Sequence, residues 1–201
     1  MPALPAWLPN AISALRVALV PAWVVCAEAA NGAANGADQD AWRWAAFAVL
    51  ATIGASDVLD GWLARRFGLA SRTGAMLDAV ADKLAQVVLF TWLALRGGLA
   101  FAAIPLWFLL LLIGRDLLLL VGWWLVRRRA GAVQVVHRAH GKLASLLLFG
   151  QLLALGADLR AFAAPLALGG VAAFVLGSTL LYVRDGWRQF VAAAPQGRRD
   201  R

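Results

Sequence analysis

Six long apolar stretches, separated by short polar breaks, run through the sequence at roughly 10–30, 41–66, 73–95, 100–127, 141–157 and 161–184. Each is near the ~20 residues that a helix needs to cross a bilayer. This pattern leaves little choice of fold. Backbone polar groups surrounded by hydrocarbon must be satisfied within their own segment, so helices are expected throughout. Composition agrees, with 62% hydrophobic residues, 15% charged residues and a mean hydropathy of +0.73. Soluble domains are nearer half apolar and a quarter charged. The sequence therefore predicts an all-α polytopic membrane protein with six transmembrane helices. Residues 1–190 are expected to form a single domain, and 191–201 a basic, disordered tail. Ala27-Glu28-Ala29 loosely resembles a cleavage site, but no Lys or Arg precedes Arg16, so a retained first helix is expected.

Orientation follows from the basic residues. Arg65, Arg66, Arg72, Arg127, Arg128, Arg129, Arg138, Lys142, Arg184, Arg188, Arg198, Arg199 and Arg201 fall on one side; Arg43, Arg96 and Arg160 fall on the other. The crowded side is expected to be cytoplasmic, with both termini inside, in a membrane such as the bacterial inner membrane. The net charge of +8 lies mostly in these breaks. That placement favours an anionic lipid surface over nucleic acid as the partner. Cys26, the single cysteine, can form no intrachain disulfide, and no Cys/His cluster has zinc spacing. Arg16, Lys83 and Arg115 lie inside expected spans and need another explanation.

Five acidic residues also lie inside spans: Asp57, Asp60, Asp78, Asp82 and Asp116. A carboxylate at the centre of a membrane helix costs about 2.5–3.5 kcal/mol on insertion scales. Such groups persist where they face a polar cavity, bind an ion or pair with a base. Internal salt bridges would explain one of them. Four aspartates between 57 and 82, beside few bases, are harder to neutralise in that way. Asp57 and Asp60 are three apart, Asp78 and Asp82 four apart, so each pair shares a helical face. Their two helices flank the break at 66–72, which places both pairs near one membrane surface. Hard oxygen ligands gathered there suit Mg²⁺, Mn²⁺ or Ca²⁺, and two divalent ions would balance four carboxylates. Gly61, Ala64 and Gly74 have small or absent side chains that would let a bulky polar group approach the backbone. Helix packing alone explains them equally well.

Residues 57–82 read DVLDGWLARRFGLASRTGAMLDAVAD, which fits D-x-x-D-G-x-x-A-R-x8-G-x3-D-x3-D without departure. This pattern resembles the signature of the CDP-alcohol phosphotransferase family, and Leu8-Pro9-Asn10 followed by Arg16 is similar to that family's usual opening. The resemblance implies a cavity near the cytoplasmic face that binds CDP-diacylglycerol, and a homodimer. It implies that Asp57, Asp60 and Asp78 hold two metal ions, Mg²⁺ or Mn²⁺, and that Asp82 contributes to the second and acts as general base. Gly61, Ala64 and Arg65 would line the CDP site, with Arg65 on the diphosphate and Gly74 nearby. Asn10 and Ser71 are nucleotide-side candidates. Asn10 fits a helix cap equally well, and Ser71 a solvated loop residue.

Arg115-Asp116 and Gly141-Lys142-Leu143-Ala144-Ser145 are similar to segments of the phosphatidylglycerophosphate and cardiolipin synthase branches. Arg115 and Lys142 would then bind a phosphate of the acceptor or the lipid, although Arg115 can also simply neutralise Asp116. The expected reaction moves a phosphatidyl group from CDP-diacylglycerol to an alcohol, releasing CMP in phospholipid biosynthesis. Glycerol 3-phosphate is the expected acceptor and phosphatidylglycerol the alternative. The rival class is a transporter or ion pathway built on the aspartate cluster. It would require polar residues through the outer halves of the spans, where few occur.

Overall fold

The computed structural model describes residues 8–67, 72–130 and 139–192. Among these are six α-helices and no strand: α1 (Leu8–Gly32), α2 (Gly36–Phe67), α3 (Arg72–Arg96), α4 (Leu106–Ala130), α5 (Ala139–Gly156) and α6 (Pro165–Ala192). A 3-10 helix at Arg160–Ala163 precedes α6. Four helices contain segments long and apolar enough to cross a membrane: Ala11–Gly32, Gly36–Leu63, Leu106–Arg129 and Pro165–Val191. The apolar run of α5, Gly141–Gly156, is shorter. In α3, Asp78, Asp82 and Lys83 interrupt the apolar sequence. Large side chains such as Leu110, Leu146, Leu166 and Leu180 are well exposed. Long apolar helices presenting leucine outward are those of an integral membrane protein.

The chain divides into two compact units, Met1–Pro105 with Phe149–Ala164, and Leu106–Leu148 with Pro165–Arg201. In the first, α1 packs along both α2 and α3. Val20, Trp23, Ala27 and Ala30 form its buried stripe at helical spacing. Opposing it are Ala46, Leu50 and Ile53 of α2, and Ala81, Ala85, Leu89 and Leu93 of α3, all buried. Alanines at 27, 30 and 46 let helix backbones approach closely. Asn35 begins α2: its Oδ1 accepts the Asp38 N–H at 2.8 Å, satisfying one of the donors a helix start leaves open.

The expected fourth span, from residue 100, needs correction. Residues 100–105 are not helical, and α4 starts at Leu106. Gly98 turns the chain at φ +119°, a conformation that favours glycine. Asn31 then holds the returning segment, donating to Arg96 O at 2.9 Å and accepting from Ala100 N at 3.0 Å. Phe101 is fully buried, with its ring centroid 5.9 Å from Trp23 and 5.6 Å from Trp92. Pro105 disfavours helical backbone at Ile104 and so delays the next helix. Similarly, the last span starts at Pro165 and not at 161. Ala164 is extended at ψ 146°, as a residue before proline prefers, and proline suits the first helical position.

In the second unit α4 packs against α6. Phe108 and Leu112 of α4, Leu168 and Val175 of α6, and Ala144 and Leu148 of α5 are buried. Of the expected tail, Val191 and Ala192 still belong to α6, and 193–201 lie outside the described residues.

Candidate active site

The aspartates sit where α2 ends and α3 begins. Asp57 lies ten residues before Phe67, the last residue of α2, and Asp78 and Asp82 occupy early turns of α3. Helix α1, packed on both, brings them together. Oxygens of Asp57, Asp78 and Asp82 all lie within 4.8 Å of one another. The side chains are 49%, 35% and 47% exposed, so the cluster opens outward and is not sealed in the packing. Hard divalent ions take oxygens at about 2.0–2.6 Å, so one ion can bridge oxygens roughly 4–5 Å apart. The donor set and its spacing therefore fit such an ion.

Arg16 of α1 completes this cluster. It is fully buried, and its Nη1 donates to Asp78 Oδ1 at 2.6 Å and to Asp82 Oδ1 at 2.5 Å. Nη2 lies 3.4 Å from Asp57 Oδ1, and Nε donates to Ser56 Oγ at 3.4 Å. Ser56 Oγ in turn donates to Ile53 O at 2.7 Å. Reading the sequence alone left Arg16 unexplained. The available signal was its position: a cation inside an apolar span, with no acid on its own helix nearby, must find one on another helix.

Other expected site residues fall at the same end of the first unit. Gly61 is on the next turn of α2 and Gly74 on the first turn of α3, both half-buried. Asn10 belongs to α1, and Asp60, Ala64 and Arg65 to α2, but their side chains lie outside the described ones, as does Ser71 altogether. Arg115 and Lys142 belong to the second unit. Arg115 Nη1 donates to Asp116 Oδ1 at 2.6 Å, so the neutralising pair exists. Arg115 Nε is also buried, with no acceptor among the described residues. Lys142 is exposed near the start of α5, and the preceding Gly141 faces the Tyr182 hydroxyl so closely that a β-carbon there would collide with it.

At the other end of the first unit, the three bases of the sparsely basic side are each paired. Arg96 meets Glu28 at 2.8 Å, and Trp92 Nε1 donates to the same carboxylate at 2.8 Å. Arg43 and Arg160 share Asp158, at 2.7 and 3.0 Å. Arg16 and Glu28 are twelve residues apart on α1, which separates these two ends by about 18 Å at 1.5 Å per residue.

Comparison with known proteins identifies the family of the chain. Residues 6–181 match the CDP-alcohol phosphatidyltransferase family. A cardiolipin synthase (CMP-forming) from Streptomyces coelicolor is 36% identical over 126 residues, covering 60% of this chain and 52% of the relative. A CDP-diacylglycerol–glycerol-3-phosphate 3-phosphatidyltransferase from Pseudomonas fluorescens is 34% identical over 111 residues, covering 55% of this chain and 51% of the relative. The chain spans about half the length of the curated relatives it matches. No solved structure matches it significantly. The family match covers most of the sequence and includes the whole aspartate segment, so the chain belongs to the CDP-alcohol phosphatidyltransferase family.

Proposed function

We propose that the protein transfers a phosphatidyl group from CDP-diacylglycerol to glycerol 3-phosphate with release of CMP. The observation that carries this reading is the convergence of Asp57, Asp78 and Asp82 within 4.8 Å. In it, Asp57, Asp60, Asp78 and Asp82 hold two divalent cations, Mg²⁺ or Mn²⁺, whose chemistry is to neutralise and align the diphosphate. The half-exposed Asp82 takes the proton of the acceptor hydroxyl. As the acceptor oxygen bonds to the phosphatidyl phosphorus, the bond from that phosphorus to the bridging diphosphate oxygen breaks, and CMP leaves with the electron pair. Arg65 steadies the diphosphate, while Asn10, Gly61, Ala64, Ser71 and Gly74 form the nucleotide side.

Arg115 and Lys142 bind the acceptor phosphate in this reading. The buried Arg115 Nε, lacking an acceptor among the described residues, supports a ligand there. The site opens to the cytoplasmic face of a bacterial inner membrane, both termini lie on that side, and the enzyme works as a homodimer. Residues 1–190 act as one domain, with 191–201 as a tail.

A second acceptor, phosphatidylglycerol, is favoured by the Streptomyces relative, whose name is cardiolipin synthase. Purified protein given CDP-diacylglycerol and a panel of acceptors distinguishes the two by product mass. CMP release only with glycerol 3-phosphate is the expected result. Release only with phosphatidylglycerol selects the second reading. Absence of CMP release with every alcohol, together with Mg²⁺ flux into protein-loaded vesicles, would favour an ion pathway.

A further inference from the structure

We propose that Arg16 is the built-in counter-cation of Asp57, Asp78 and Asp82, and that a divalent ion binds these carboxylates in competition with its guanidinium. This rests on the metal-binding part of the proposed function.

Arg16 is fully buried, and a buried cation persists only where it is paired. Its Nη1 stands 2.6 Å from Asp78 Oδ1 and 2.5 Å from Asp82 Oδ1. An ion held by the two α3 carboxylates would need the same oxygens, and the space between them, that Nη1 already takes. The two cations exclude each other from that space by overlap and by like-charge repulsion.

The charge balance points the same way. One guanidinium against three carboxylates leaves the cluster formally at −2, still attractive to a dication. Arg16 joins acids of α2 and α3 that would otherwise repel, so it gathers the ligands while weakening their hold on metal. A guanidinium displaced from α3 keeps two neighbours on α2, Ser56 and Asp57, each already 3.4 Å away. Arg16 is thus a positioning residue that acts through the aspartates. Competition between two ligands is a coupling free energy, and couplings of this kind commonly correspond to about 5–150-fold in affinity.

The test uses full-length protein in nanodiscs, with Mn²⁺ as probe and no substrate. Mn²⁺ affinity is read by electron paramagnetic resonance, and melting temperature is read in EDTA and in Mn²⁺. Arg16→Gln is expected to bind Mn²⁺ at least about 5-fold more tightly than the parent, the lower end of such couplings. It should melt lower in EDTA and gain more from Mn²⁺ than the parent does. Arg16→Lys, which keeps the charge but cannot span three carboxylates, should fall between the two. If Arg16→Gln survives only in Mn²⁺, chelator competition still reports its affinity. Mn²⁺ affinity equal to or weaker than that of the parent, in both variants, overturns the proposal and leaves Arg16 a purely structural residue. Failure of the parent and both variants to bind Mn²⁺ overturns the proposal and the metal reading together. Expected metal behaviour without CMP release leaves the proposal standing and sinks only the assigned reaction.

Discussion

A β-carbon at position 54 would collide with Cζ of Phe149, so Gly54 of α2 and Phe149 of α5 form a ring-against-backbone contact. Overpacking of this kind typically costs about 1–3 kcal/mol. Gly54→Val should lower the melting temperature of the detergent-solubilised protein. Phe149→Ala in the same chain should recover part of that loss, because the two changes share one space. Strict additivity of the two losses would show that the contact does not limit stability.

Metal removal gives a second test. Exhaustive EDTA treatment should abolish CMP release, and Mg²⁺ or Mn²⁺ should restore it. Activity that survives chelation would leave the aspartates without their proposed role.

The two ends of the motif should separate donor binding from chemistry. Asp57→Asn should weaken Mn²⁺ and CDP-diacylglycerol binding together. Asp82→Asn should keep most donor affinity but lose at least ~10²-fold in turnover, as expected when a general base is removed. Equal loss of donor affinity in both variants argues against Asp82 as the base.

For the acceptor, Lys142→Ala should raise the KM for glycerol 3-phosphate far more than that for CDP-diacylglycerol. A lost hydrogen bond to a charged group is worth roughly 1.5–3 kcal/mol. Arg115→Ala should behave alike if Nε serves the phosphate. Should Arg115→Leu with Asp116→Leu restore full activity, the Arg115–Asp116 pair is structural only.

Topology is checked by cysteine labelling in a Cys26→Ala background. Leu69→Cys and Ala132→Cys should react from the cytoplasmic side only, Gly36→Cys and Leu159→Cys from the opposite side only. Labelling at 36 from the cytoplasm would refute the orientation drawn from the basic residues.

The sharing of one α3 face by Asp78 and Asp82 was legible in the sequence, because helical spacing fixes which residues share a face, and the short break at 66–72 put Asp57 near the same end. The contribution of α1 was not. Spacing along α2 and α3 says nothing about a third helix, and Arg16 finds its acids through packing set by Trp23, Ala27 and Ala30 far along α1. Residues 100–105 misled for a different reason. Hydropathy registers Phe101 and Ile104 as membrane-like, but it does not weigh the turn at Gly98 or the proline at 105. The division into two units depends on long-range contacts that no local pattern carries.

The pairing of Arg16 also bears on how the protein is made. Its two shortest contacts are to residues 62 and 66 positions later, so the ribosome delivers this cation well before α3 exists. During that interval α1 carries a charge that disfavours insertion by as much as about 2.5–3.5 kcal/mol at mid-membrane. The first helix is therefore expected to insert poorly alone and to settle only once α2 and α3 arrive. In a glycosylation-mapping assay, α1 by itself should insert less completely than Arg16→Leu α1. Extending the nascent chain through Arg96 should erase the difference, making Asp78 and Asp82 the late partners of Arg16 in membrane assembly.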